Sequence, residues 1–279
     1  MATIWNISGF GDEIADEAVT QLAVLQRLGV QALEPRRIRL PGGTLKNIVD
    51  LSDDDLRALD ELLQDHGMRC SQIGSPVGKA PLDADFDDQL RQLDGAIRAA
   101  RALGTRYVRV FSFLPPGEAA MPAARTTALA RFQGLAEHAA RKEPAVVLTL
   151  ENEHDLFGAR PSECLAFLQV AEADNVAMCF DPGNFVRAGV RPFDEAWPIL
   201  GPATQMLHIK DYRASDGAWV PAGEGQGQLH EILQAADPAR VTFLSIEPHL
   251  ATSAWGAGRP RDALWREAHA ALRALLDPV

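Results

Sequence analysis

The 279-residue chain is poor in cysteine: Cys70, Cys164 and Cys179 lie far apart, and no C-x-x-C pair occurs. This spacing argues against a disulfide framework or a cysteine-type zinc site, and it makes a reducing cytoplasm the expected compartment. Cys164 falls on an apolar helical pattern and Cys179 within a strand pattern, so both read as small core residues. No stretch approaches 18 consecutive apolar residues, so no membrane-spanning helix is expected. The opening "MATIWNISGFGDEI" has no basic region before an apolar run, so no signal peptide is expected either. Basic residues are also scarce, with 27 Lys and Arg against 38 Asp and Glu, a net charge of -11. A nucleic-acid or anionic-membrane surface needs clustered Lys and Arg, so neither partner is expected. There is no Ser/Gly linker, and no G-x-G-x-x-G follows the first hydrophobic run, which disfavours a dinucleotide-binding fold.

What the chain does have is rhythm. "LGVQALEPR", "HGMRCSQIGS" and "LGTRYVRVFSF" each place a glycine where a helix ends, then a polar step, then a strand-like run. Glycine suits that place because it takes positive φ without a Cβ clash. The helix in "LSDDDLRALDELLQDHG" has Ser52 as N-cap, Asp53 to Asp55 in its first turn and an apolar stripe at Leu56, Leu59, Leu62 and Leu63. The pattern predicts strands near 4–10, 31–36, 69–75, 107–113, 145–151, 176–181, 204–210 and 242–248. It predicts helices near 16–28, 52–66, 84–103, 122–142, 161–172, 192–200, 227–236 and 260–276. Eight strands that alternate with helices, in a chain close to the ~250 residues of a (β/α)₈ barrel, predict one such TIM-barrel domain over residues 1–279.

In such a barrel, chemistry sits at the C-terminal strand ends. Four consecutive predicted strands end in "LTLENEH", "MCFDPGN", "MLHIKDY" and "LSIEPHL", which brings Glu151, Asp181, His208 and Glu247 to comparable depth. Alternation turns Glu151 inward with Thr149, Glu247 with Ser245 and His208 with Lys210, leaving the intervening Leu and Ile residues for the helices. Three carboxylates converging without a cation would repel one another. One divalent metal resolves this, and the donor set suits Mn²⁺ or Mg²⁺ best, with Co²⁺, Fe²⁺ or Zn²⁺ also compatible. The plainer alternative is an ion-pair network at the barrel top with Arg109 or Lys210 as counterions.

With "SGFGDEI", "GSPVGK", "YVRVFSF", "LTLENE", "CFDPGNF", "HIKD", "GEGQG" and "SIEPH", nearly the whole chain resembles the xylose isomerase-like TIM barrel superfamily of sugar phosphate isomerases and epimerases. The resemblance implies that Glu151, Asp181, His208 and Glu247 hold the metal. It also implies that Glu151 and Glu247 act as acid and base on opposite faces of the substrate, through a metal-stabilised cis-enediolate. The implied activity is isomerisation or epimerisation of a sugar, sugar phosphate or related polyol ketone. The runner-up is a lyase or dehydratase of the inosose, dehydroshikimate or keto-glycoside type. The partner implied is a small carbohydrate or polyol, and a homo-oligomer is compatible with it. An endonuclease IV-like nuclease shares the fold, but it needs about three metals, more histidine ligands and a basic face. A non-catalytic sugar-binding barrel fits poorly with two retained glutamates. One departure stands out: ketose 3-epimerases place a histidine where this chain has Asn184.

Further candidates for substrate contact are Glu34, Arg36, Lys79, Arg109, Asn184, Lys210 and Glu224, the last in the glycine-rich loop "PAGEGQG". Arg109 reads equally as a buried counterion to Glu34 or Glu151, and Lys210 as one to the carboxylates. Asp211 and His249 are expected behind the ligands, orienting them. Trp219 and Trp255 are expected in loops above the rim, where they could stack on a sugar. Asn152 is expected to tie down backbone, while Glu153 and His154 stand at the start of a loop.

Overall fold

In the computed structural model, which describes residues 5–116, 121–171 and 175–277, eight parallel strands form the barrel sheet. They are β1 (Ile7–Phe10), β2 (Ala32–Glu34), β5 (Arg69–Cys70), β6 (Tyr107–Val110), β7 (Val147–Glu151), β8 (Val176–Phe180), β9 (Thr204–Ile209) and β12 (Phe243–Ile246). Their order is β5-β2-β1-β12-β9-β8-β7-β6. The ring closes between β5 and β6 through the chain just past β5. Ile73 bridges Val108, donating its N–H to Tyr107 O at 2.9 Å and accepting from Arg109 N at 2.9 Å. The fold is the (β/α)₈ barrel the sequence predicts.

Alternation along the strands separates two apolar regions. Leu148, Leu150, Leu207, Ile209, Leu244 and Ile246 point outward into the continuous core between strands and helices. Val147, Tyr107, Cys179, Met206 and Phe243 point inward and join Ala32 and Ala177 in a small cluster inside the barrel. Above that cluster lies a buried polar layer. Gln72 Nε2 donates to Glu34 Oε1 at 2.8 Å, Ser245 Oγ donates to Glu34 Oε2 at 2.6 Å, and Thr149 bonds Gln72. The barrel interior thus runs from apolar, through hydrogen-bonded polar, to charged at its C-terminal end.

The helices follow their local signals. α2 (Asp53–Asp65) starts with a capping box in which Asp55 N donates to Ser52 Oγ at 3.1 Å and Ser52 N to Asp55 Oδ2 at 3.1 Å. Differences from the sequence reading have local causes. The predicted strand 69–75 pairs regularly with β2 only at Arg69–Cys70, because by Ile73 the chain has switched to pairing with β6. The predicted helix 192–200 opens as a π-helical turn over Pro192–Ala196 and continues as α7 (Trp197–Leu200), since Pro192 and Pro198 each withhold an N–H. Two hairpins and one short helix sit above the barrel. The hairpins are β3 (Arg37–Arg39) with β4 (Leu45–Asn47), and β10 (Asp211–Arg213) with β11 (Ala218–Val220). The helix is α6 (Pro182–Arg187), directly after β8.

Cys70, Cys164 and Cys179 are all buried and unpaired. Burial pushes the Cys70 and Cys164 thiols well above their usual range and the Cys179 thiol up to about 11. The native protein is therefore expected to give no fast reaction with Ellman's reagent at pH 8, and three equivalents once unfolded in guanidinium. A rapid native equivalent would contradict this packing.

Candidate active site at the barrel mouth

β7 ends in Glu151, β9 carries His208, and Asp181 and Glu247 follow directly after β8 and β12. All four are buried, and one donor atom from each lies within 4.8 Å of the others. His208 Nδ1 faces Glu151 Oε1 at 3.5 Å, Glu247 Oε2 at 3.6 Å and Asp181 Oδ2 at 3.8 Å, yet it makes no hydrogen bond. Its other nitrogen is occupied: Nε2 lies 3.2 Å from Cys179 Sγ and 3.5 Å from Glu34 Oε1. The Phe10 ring packs edge-on against the imidazole, with centroids 5.3 Å apart. An imidazole fixed from behind, with a buried bare nitrogen aimed at three carboxylates, fits a divalent cation among these four residues.

The two glutamates divide their oxygens. Glu151 turns Oε1 toward His208 and Oε2 toward Arg109 Nη1 at 3.0 Å. Glu247 turns Oε2 toward His208 and Lys210 Nζ, the latter at 3.1 Å, and its Oε1 accepts from Arg36 Nη1 at 2.6 Å. Burial pushes the Glu151 carboxyl up, but Arg109 and His208 outweigh it and hold it below the usual range. Glu247 is held well below that range, burial being overcome chiefly by Lys210, with His249 and Arg36 adding to it. Asp181 is raised, because burial exceeds the opposing pull of Lys210 and His208. Burial resists charging of His208, but the Cys179 sulfur and the Glu151 and Glu34 carboxylates raise it well above its ordinary value.

A family model described as a xylose isomerase-like TIM barrel matches residues 22–275. The chain belongs to that family. Among solved structures, an L-ribulose 3-epimerase superposes with a TM-score of 0.74 at 19% identity, covering 98% of this chain and 95% of that one. The IolI protein with a bound zinc atom gives 0.72 at 16% identity, covering 97% and 98%. The probable 3-DHS dehydratase AsbF of Bacillus anthracis gives 0.70 at 17% identity, covering 98% and 100%. At these identities the likeness extends to the fold. No curated sequence matches the chain.

In this member of the xylose isomerase-like family, the remaining expected residues separate by position. Arg36, Lys79, Arg109 and Lys210 line a cavity of about 160 Å³ together with Glu151 and Glu247. Arg109, the counterion of Glu151, stacks between Phe10 and Phe111, 5.1 and 4.9 Å from their ring centres. Lys79 Nζ reaches Glu153 Oε2 at 2.6 Å, which brings Glu153 into the cavity wall and gives it a partner, with His154 Nδ1 at 2.6 Å on its other oxygen. Asn152 ties down backbone as expected: its side chain exchanges two 2.8 Å hydrogen bonds with the main chain of Asp181.

Four placements differ from the sequence reading. Glu34 lies beneath His208 in the polar layer, fully buried and outside the lining of the cavity. Asn184 turns its amide nitrogen to Glu151 Oε1, Asp181 Oδ2 and Asn152 O at 3.2, 3.1 and 3.0 Å, so it braces the metal-type residues rather than the cavity. Asp211 orients no ligand; its carboxylate accepts from the N–H groups of Tyr212, Gly223, Gly225 and Gly227. Gly225 and Gly227 are glycines because a Cβ at either would collide with that carboxylate, and Glu224, just before Gly225, is exposed. The tryptophans also differ. Trp219 is buried under Lys210 Nζ, 4.8 Å from its ring centre, and Trp255 bonds Glu267 on the last helix. His249 lies at the cavity edge with its Nδ1 2.6 Å from Glu13 Oε1.

Phe10, Asp12 and Glu13 escape the sequence reading. Asp12 takes both Nε and Nη2 of Arg36, at 2.8 and 3.1 Å, and so aims Arg36 at Glu247. No local pattern marks these contacts, since Glu13 and His249 are 236 residues apart.

Asp211→Ala would strand four backbone donors, and we expect it to cost about 3 kcal/mol or more in denaturant unfolding, with early proteolysis within 221–228. A loss below about 1 kcal/mol would contradict the anchoring role.

Proposed function

We propose that this chain is a divalent-metal-dependent isomerase or epimerase of a sugar, sugar phosphate or related polyol ketone. The bare Nδ1 of His208 facing three carboxylates supports this reading most directly. Glu151, Asp181, His208 and Glu247 would hold the ion, with Mn²⁺ or Mg²⁺ matching three carboxylates and one imidazole. A bound divalent cation would polarise the substrate carbonyl and its neighbouring hydroxyl, making the α proton removable.

The chain's own residues supply the rest. Glu151, at the end of β7, and Glu247, just after β12, both border the cavity, so a small substrate held there would meet both carboxylates. One carboxylate accepts the α proton. The other returns it, at the same carbon from the opposite face for epimerisation or at the adjacent carbon for isomerisation. Arg109 and Arg36 hold the outer oxygens of the two glutamates and so fix their orientation. Lys210, paired with Asp181 and Glu247, offers a positive charge to oxygen as charge develops there.

One observation favours a second reading, loss of a β-hydroxyl by the same proton abstraction. Asn184 commits its amide nitrogen to Glu151 and Asp181, so this position has no N–H left to donate to a substrate oxygen.

The test is deuterium incorporation from D₂O by Mn²⁺-supplied protein over ketoses, inososes and keto-glycosides. Glu247→Gln is expected to lower exchange by about 10²–10⁴-fold. An unchanged rate would remove the proposed mechanism, and an enone product in place of exchanged substrate would select elimination.

A further inference from the structure

The cavity is lined by five cationic side chains and three carboxylates, in a chain whose net charge is -11. Four of the five cations are engaged. Arg36 is held by Asp12 and Glu247, Arg109 by Glu151, Lys79 by Glu153, and Lys210 by Asp181 and Glu247. The fifth, Arg37, is exposed, and among the described residues its guanidinium has no carboxylate within ion-pairing distance.

Arg37 is nonetheless well positioned. It opens β3, where Ile38 is fully buried and pins the strand's facing. Its carbonyl accepts from Gln21 Nε2 at 3.4 Å, and Arg39, two residues on along the same face, is held by Asp16 and Glu17. Across the hairpin it stands opposite Asn47, which also lines the cavity. Arg37, Arg36 and His249 are shared with a larger adjoining groove of about 490 Å³. Arg37 therefore belongs to the junction where the inner cavity meets the outer groove.

We propose that the substrate carries an anionic group, a carboxylate or a phosphate, which Arg37 binds at this junction with Asn47 beside it. A planar guanidinium with unused donors matches either group in a two-point contact. Which end of the substrate points inward rests on the reading of Glu151 and Glu247 as the reacting carboxylates. The anion site itself does not.

The test has two arms. In the first, inorganic phosphate and acetate are titrated calorimetrically into the full chain, with and without Mg²⁺, for the unaltered protein, Arg37→Gln and Arg259→Gln. Arg259 lines only the outer groove and is paired with Glu267. We expect binding of at least one anion that weakens about tenfold or more in Arg37→Gln, is kept in Arg259→Gln, and falls with added salt. The tighter probe identifies the group. Absence of binding, equal binding by Arg37→Gln, or binding that requires Mg²⁺ and ignores Arg37 would overturn the proposal. In the second arm, D₂O exchange is compared between neutral ketoses and their acid or phosphate counterparts. Exchange in neutral and anionic members alike, unaffected by Arg37→Gln, would overturn the substrate class while leaving proton transfer standing. Arg37-dependent anion binding without exchange in any member would leave the anion site standing and remove the proton-transfer reading.

Discussion

The structure depends on a concentration of buried charge at one end of a parallel barrel. One donor atom from each of three carboxylates and an imidazole lies within 4.8 Å of the others, on side chains that are almost wholly buried. Isolated buried charges are among the costliest features a fold can carry, and they persist only when each has a partner. Here the partners are Arg109, Arg36 and Lys210, each reaching in from a different strand or loop. Arg109 and Arg36 take the outer oxygens of Glu151 and Glu247, while Lys210 reaches the inner oxygens of Glu247 and Asp181 that also face His208. One donor atom from each of the four residues remains close enough to the others to share a single cation.

The layers below serve that end. Glu34, Gln72, Ser245 and Thr149 form a hydrogen-bonded floor that supports His208 from behind, and the apolar cluster around Met206 and Phe243 seals the barrel under it. Phe10 underlies three charged groups at once, meeting His208 edge-on and lying beneath Arg36 and Arg109. Above the rim, Asp211 gathers a glycine-rich loop by its backbone, and the hairpin of β3 and β4 brings Arg37 and Asn47 over the mouth. Rigid strands carry the charged centre, and the loops shape the approach to it.

Much of this was legible in the sequence because a strand repeats every two residues. Thr149 and Glu151, or Ser245 and Glu247, had to share a face once the barrel was inferred, and the apolar residues between them had to face the helices. The fold and the fourfold convergence followed from that alternation. Depth was harder to read. Glu34 and Arg36 have the same parity, but one lies under the imidazole and the other at the rim, because β2 ends at Glu34 and the chain turns outward. The role of Asp211 was hidden because its partners are backbone N–H groups, which have no signature beyond the glycines that make room for them. Arg37 could have been found: alternating "RRIRL", a "PGG" turn and "TLKN" together spell a hairpin.

The central claim, that the barrel mouth is built to hold one divalent cation, is tested most directly by titrating Mn²⁺ into the metal-stripped protein in buffers of different ionisation enthalpy. A cation binds through deprotonated carboxylates and an unprotonated imidazole nitrogen, so it competes with protons for Glu151, Asp181, His208 and Glu247 and affinity should rise with pH. The account predicts one site per chain, release of protons on binding, and loss of both in His208→Ala. Binding of no Mn²⁺, or binding that survives in His208→Ala with unchanged affinity, would contradict it.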